Sequence, residues 1–249
     1  MIDKGTVFVL PKSVSIVPSS TATATSASNM LHDEKALVWR STGLTGTYLV
    51  VTQTGAWDTI ALVGTNLRAT DTIRIRAAAT TTAVTSAPAL DQTIPAFSGV
   101  PKATGGMVVF RLNAPVTHAI IRIDITSTGN PAGYVQVSNL ILGTTVEWDG
   151  IDTGAEVSYE NQGSSYLRKF LTKPTWKIKL SGMDTASYYG EWEDFCLAAS
   201  DRRGFLFIPI YSDTFQQKRS AFVSMVGEPK MTFITGDIYT LELTVTTIQ

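Results

Sequence analysis

The chain has 249 residues, a net charge of -1 from 20 basic and 21 acidic side chains, and 16% charged against 44% hydrophobic residues. That length holds two domains with real cores, and a near-neutral chain lacks the basic field that captures phosphate backbones, so nucleic acid is excluded as a general partner. The longest apolar runs, Val7 to Leu10 and Phe205 to Ile210 among them, fall far short of the roughly 20 residues of a membrane-spanning helix, and the single Cys196 leaves neither an internal disulfide nor a cysteine-based zinc cluster.

Asp3 and Lys4 precede only a few apolar residues before Pro11, which is not the pattern of a secretory signal, so synthesis in a cytoplasm is expected. Up to about residue 145 the sequence shows short apolar or alternating runs between turn formers, the pattern of an all-β domain. The expected strands are Val7–Leu10, Tyr48–Gln53, Thr59–Val63, Thr72–Ala77, Gly106–Leu112, His118–Ile125 and Tyr134–Leu142. In Ile73-Arg74-Ile75-Arg76 and Ile121-Arg122-Ile123-Asp124 successive side chains face opposite sides of the pleat, which puts isoleucine in a core and charge in water. Thr80 to Pro88 and Pro95 to Gly106 are rich in Thr, Ser, Ala, Gly and Pro and are expected to be loops, the first open to motion.

Near Gly143 to Gly154 the character changes. Residues 1–145 carry ten basic and seven acidic side chains, +3, and residues 146–249 carry ten and fourteen, -4. A domain boundary is placed at 145/146, and the opposite signs suit head-to-tail contact between copies. Beyond it Tyr188, Trp192, Phe195, Cys196 and Ala199 make one apolar stripe at helical spacing. Asp184 is its expected cap. Arg202 and Arg203 in the last turn and Gly204 beyond it complete a helix over about 185–202. Strands are expected at Glu156–Glu160, Thr175–Leu180, Phe205–Tyr211, Ala221–Val226 and Tyr239–Thr246, giving a sheet with a helix packed on it.

Each candidate for chemistry has a structural rival. His32-Asp33-Glu34 places imidazole beside carboxylates, as in a proton-transfer or metal group, but neighbours in sequence rarely share a face, and a solvated loop accounts for them. Cys196 lies on the apolar stripe, where a thiol behaves as a small hydrophobe. Glu191, Glu193 and Asp194 are acidic enough for paired-carboxylate hydrolysis but sit off or at the edge of the stripe, as solvated residues do. Trp57 and Trp148 read as packing residues. Trp39 beside Arg40 is the candidate contact for a glycan or a partner, since an indole face next to a guanidinium suits a sugar ring or a carboxylate; Trp39 as the plug of a sandwich end is the competing reading. No catalytic, cofactor-binding or metal-binding residue is expected, and the chain reads as a non-enzyme.

Ala27-Ser28-Asn29-Met30-Leu31 through Leu37-Val38-Trp39-Arg40-Ser41, then Thr47 to Val51, Trp57 to Gly64 and Tyr134 to Gly143, resemble the opening and closing of a galactose-binding-like (discoidin-type) jelly roll over roughly residues 5–145. The second part, with Trp176-Lys177-Ile178-Lys179-Leu180 entering the Trp192/Phe195 helix, then Gly204 to Ile210, Val226-Gly227 and Leu241-Glu242-Leu243, resembles tail-tip proteins of long-tailed bacteriophages (distal tail, minor tail or baseplate ring proteins). The resemblance implies a mainly β protein: a jelly-roll sandwich over 1–145, then a tail-tube-like β-sandwich or split barrel over 146–249 with one flanking helix. It implies a structural virion component that forms a homo-oligomeric ring, sixfold by expectation, which continues the tail tube and meets other tail-tip and baseplate hub proteins. Distal tail proteins place the ring domain first, whereas the order here is reversed. The alternative function is a carbohydrate-binding module attaching to a host surface glycan.

Overall fold

The computed structural model describes residues 5–34, 36–97, 106–148, 156–162, 171–201, 204–211 and 214–248. Their strands in chain order are β1 (Thr6–Val9), β2 (Ser15–Pro18), β3 (Trp39–Arg40), β4 (Thr47–Thr52), β5 (Trp57–Thr65), β6 (Thr72–Ala78), β7 (Leu90–Pro95), β8 (Gly106–Val116), β9 (Ile120–Thr126), β10 (Gln136–Val137), β11 (Asn139–Gly143), β12 (Thr145–Trp148), β13 (Glu156–Gln162), β14 (Leu171–Asp184), β15 (Phe205–Ile208), β16 (Ala221–Met225), β17 (Lys230–Thr235) and β18 (Ile238–Thr247). The helices are α1 (Ala83–Ser86), α2 (Thr185–Ser187), α3 (Glu193–Ser200) and α4 (Gln216–Arg219), with a 3-10 turn at Ala27–Leu31 and a π-helical turn at Tyr188–Trp192 between α2 and α3. The protein is mainly β. None of these helices is long and apolar enough to cross a membrane.

Two compact units divide the chain. The first holds residues 11–145 together with 214–220, and the second holds 5–10, 146–211 and 221–248. The first is a jelly-roll sandwich with antiparallel sheets of five strands (β2-β4-β9-β6-β7) and three (β11-β5-β8). Their inner faces meet through Leu49, Val51, Ile73, Ile75, Ile121 and Ile123 from one sheet and Ile60, Leu62, Val108, Phe110, Leu140 and Leu142 from the other. The isoleucine half of the expected alternation holds in β6 and β9, where Ile73, Ile75, Ile121 and Ile123 are all buried, but Arg76, expected in water, is buried too, bonded to Asp124 and to the Thr85 carbonyl of α1. Their polar neighbours form an ion-pair ladder on the outer face. Arg76 and Arg122 stand directly opposite one another, an arrangement that repels, and the Asp124 carboxylate accepts from both, at 2.6 and 2.9 Å. Residues 83–86 within the expected loop at 80–88 form α1, because Val84 is buried against Ala78 and Ile120. Residues 98–105 of the other expected loop lie outside the described residues.

The second unit is one sheet of eight strands in the order β12-β1-β15-β16-β18-β14-β13, with β17 also on β18, antiparallel from β1 to β13 and at β17. Residues 6–9, assigned to the first domain from the sequence, belong here. β1 pairs with β15, Val7 opposite Ile208 and Phe8 opposite Phe207, and Thr6 Oγ1 donates to the Pro209 carbonyl at 2.9 Å. Strand pairing, not chain proximity, decides the boundary. The sandwich is therefore an insertion: β1 and β12, the strands on either side of it, are sheet neighbours, and within the sandwich Lys12 N–H donates to the Leu142 carbonyl at 2.8 Å.

One helical run, α2 to α3, covers the core face of this sheet. The Asp184 carboxylate accepts from Ser187 N–H at 2.7 Å and so caps it, and that bond holds its pKa below the ordinary value. Tyr188, Trp192, Phe195, Cys196 and Ala199 all point into the core, as their spacing requires. There Phe8 lies edge-on to Trp192 and Phe195, each at 5.3 Å between ring centres. Arg202 and Arg203, expected in the last turn, lie outside the described residues.

The sheet forks at β18. β14 runs along one side of it, so β16 and β17 share the other, pairing with Val245–Thr247 and Ile238–Glu242 respectively. They follow one another along β18 through a break at residues 226–229, where Gly227 takes φ +73°, a left-handed conformation that suits glycine. Gly236 (φ +56°) and Asp237 then close the β17–β18 hairpin, the tight connection that left-handed residues permit.

Candidate functional site

Trp39 and Arg40 together make up β3, which pairs with β10 in a two-stranded ribbon, Arg40 opposite Gln136 and Trp39 opposite Val137. Their side chains have different surroundings. Trp39 is 0% exposed within the sandwich core, and its indole N–H donates to the Ser20 carbonyl at 3.1 Å. It has no free face for a sugar ring or a partner, so the contact role expected of Trp39 is withdrawn in favour of packing. An apolar indole gains more from full burial than from exposure, and its one polar atom is satisfied inside.

Arg40 is half-buried. Its Nε donates to Gln136 Oε1 at 2.9 Å, and its guanidinium carbon sits 5.0 Å from the centre of the Tyr134 ring, within cation–π range. Asn66 fixes this arrangement from β5's exit: its Nδ2 donates to the Tyr134 carbonyl, and its Oδ1 accepts from Gln136 N–H, both at 2.8 Å. Arg40, Tyr134 and Gln136 thus form a half-buried surface cluster of guanidinium, phenol and amide held by a rigid backbone. Such a set suits a polyhydroxylated ligand, because it offers several fixed donors and acceptors beside an aromatic ring. Tyr134 and Gln136 escape sequence reading, since a ribbon of two residues per strand leaves no periodic signal.

A second network braces the same loops. The Asp71 carboxylate, 2% exposed as a residue, accepts from Arg68 Nη2 at 2.7 Å, from Arg68 N–H at 2.8 Å and from Ser127 Oγ at 2.7 Å. Burial by itself raises the Asp71 pKa, but the bonds from Arg68 and Ser127 outweigh it and hold the group below its ordinary value. A carboxyl whose folded pKa is depressed stabilises the fold above the unfolded value of about 4, and that stabilisation is lost as pH falls through the lower folded value. Acid titration of the sandwich is therefore expected to show a loss of stability below about pH 4 that Asp71→Asn reduces. Asp91, also lowered by its Arg74 partner, leaves a remainder in the variant. An unchanged acid profile in Asp71→Asn contradicts the assignment.

The other candidates stay apart. His32 and Glu34 are exposed, and the segment carrying them makes backbone contacts, His32 O accepting from Asn139 Nδ2 and Glu34 O from Leu37 N–H. Among the described residues no three His, Cys, Asp or Glu side chains converge as a metal site would require. Glu191 and Asp194 lie on the exposed side of the helix. Cys196 is buried, and burial pushes its thiol up to about 12, far from the thiolate that a nucleophile needs. Trp57 is buried and Trp148 half-buried, each packed against its own unit's core.

No family model matches the sequence, and no curated protein matches it. Among solved structures, the chain is similar to the family 32 carbohydrate-binding module of Clostridium perfringens NanJ in complex with galactose (14% identity, TM-score 0.40, 56% of this chain and 99% of that one). It is also similar to a mutant lectin-binding domain of Lectinolysin complexed with Lewis b (11% identity, TM-score 0.41, 54% and 94%). A third is chitosan-binding module 1 of a chitosanase/glucanase from Paenibacillus sp. IK-5 (15% identity, TM-score 0.36, 54% and 96%). None of these three is a tail protein.

Proposed function

We propose that the chain is a non-enzymatic structural component of a bacteriophage tail tip, made in the host cytoplasm and built into the virion. In this reading the sheet-and-helix unit joins copies into a ring that continues the tail tube toward baseplate and hub proteins, and the sandwich is carried as an attached module. The observation that supports it is the β17–β18 hairpin, all six of whose β17 residues are exposed, with Met231, Phe233 and Ile234 among them. A lone soluble chain gains nothing from apolar side chains held in water on a strand edge, whereas an assembling one covers them. The order of domains also departs less from that of distal tail proteins than the sequence implied, because β1 places the start of the sheet ahead of the inserted sandwich. Negative-stain images of the pure protein are expected to show rings, and mass spectrometry of purified virions to find the chain. Its absence from virions rejects the reading.

The sandwich supports a second reading, attachment to a glycan, favoured by the fixed cluster of Arg40, Tyr134 and Gln136. Galactose and Lewis b are the glycans held by two of the solved structures named above, so galactosides are the first ligands to try. A glycan array is expected to show a signal that Arg40→Ala weakens by about tenfold or more, the scale of one lost charged hydrogen bond. Silence of the wild-type protein across the array removes this reading and leaves the first in place.

A further inference from the structure

We propose that a second copy of this chain docks on the β17–β18 hairpin by adding a strand to the free edge of β17, an inference that rests on the assembly reading above and names its contact. Among the described residues the β15–β16 ladder stops at Ala221–Val223 of β16, and β17 pairs with β18 alone. No strand among the described residues pairs with the outer side of β17, whose backbone N–H and C=O groups are there a template for strand addition. Proteins that keep such an edge closed use prolines, bulges or charges along it. Here β17 carries one charge, Lys230, opposite Glu242, and one break in register between Phe233 and Thr235, so Lys230 to Phe233 remain an unbroken run.

The side chains on the hairpin fit the same occupant. Met231 and Phe233 stand opposite Leu241 and Tyr239, so they continue the core face of the sheet where the helix no longer covers it. Phe233 lies 5.5 Å from Tyr239, and Tyr239 contacts Tyr188 at 5.9 Å and Tyr189 at 6.4 Å, so an aromatic row leads from the buried core out to the tip. Phe233, Ile234 and Tyr189 are 58, 56 and 51% exposed. Met231 and Ile238 are exposed as well, at 37 and 44%, so five large apolar side chains stand in water on one hairpin and its flank, the composition of an interface core and not of a solvated rim. Lys230 stands opposite Glu242, and with Asp237 in the turn the β17–β18 hairpin carries a net charge of -1, which physiological salt screens between exposed groups, so identical hairpins are not kept apart.

Sedimentation of the full chain over a concentration series, with Phe233→Asp and Ile234→Lys as variants, reads this contact directly. Both sites are exposed, and unchanged circular dichroism confirms that the variants fold. The wild type is expected to form multimers, and each variant to weaken association by about thirtyfold or more, the scale of an interface hot spot. Thr232→Cys adds the geometry, since Cys196 is buried and does not compete. A disulfide-linked dimer shows two β17 edges meeting each other. Multimers without that link, yet lost in Phe233→Asp, show β17 meeting a different edge of the neighbouring copy; either result supports docking of a second copy. A wild type that stays monomeric at every concentration, or multimers that survive both variants, overturn it. The tail reading fails separately, on absence of the chain from virions.

Discussion

Phe8→Ala is expected to cost the sheet-and-helix unit about 3–5 kcal/mol, the range for removing a buried aromatic ring. Phe8 is fully buried and contacts the rings of Trp192, Phe195, Phe205 and Phe207, so its loss leaves a cavity where strand and helix meet and few neighbours can collapse into it. Against a total stability of typically 5–15 kcal/mol that is enough to unfold much of the unit near its midpoint. Hydrogen exchange read by mass spectrometry localises the effect. Peptides from 171–201 and 221–248 should lose protection, and those from 47–65 and 106–126 should keep it. The opposite pattern would return residues 6–9 to the sandwich and cancel the insertion.

Trp39→Ala is expected to destabilise the sandwich by a similar amount, about 3–5 kcal/mol, with the Ser20 carbonyl losing its indole donor as well. A surface contact residue behaves differently, since its truncation typically changes stability by no more than about 0.5 kcal/mol while abolishing binding. Thermal unfolding separates the two outcomes: a large drop for Trp39→Ala beside a near-native Arg40→Ala assigns packing to the first and leaves ligand contact to the second. A Trp39→Ala protein as stable as the wild type would restore Trp39 to the surface.

Where one physical rule controls the local pattern, the sequence was readable. Alternating isoleucine and charge in β6 and β9 needs only a sheet with one wet face, and the stripe from Tyr188 to Ala199 needs only a helix on a core. Partner choice was not readable: Val7, Phe8 and Val9 are buried on both faces, which announces an interior strand but not which sheet encloses it. β7 was missed because Asp91, Gln92, Thr93 and Pro95 dilute its apolar content, as befits an edge strand. β17 was missed although Gly236-Asp237 is a turn signal, because its apolar residues stand in water and resemble neither a core strand nor a loop. The cluster around Arg40 depends on Gln136, 96 positions away, a distance over which neither spacing nor composition speaks.

The joined ends of the inserted segment carry an evolutionary consequence. Because Lys12 and Leu142 are hydrogen-bonded while β1 and β12 lie side by side, a foreign fold with neighbouring termini can be grafted between them without shifting the register of the sheet that receives it. Exchange of the inserted segment by recombination would thus leave β1 and β12 paired as they are, and chains related to this one should differ most between residues 11 and 145.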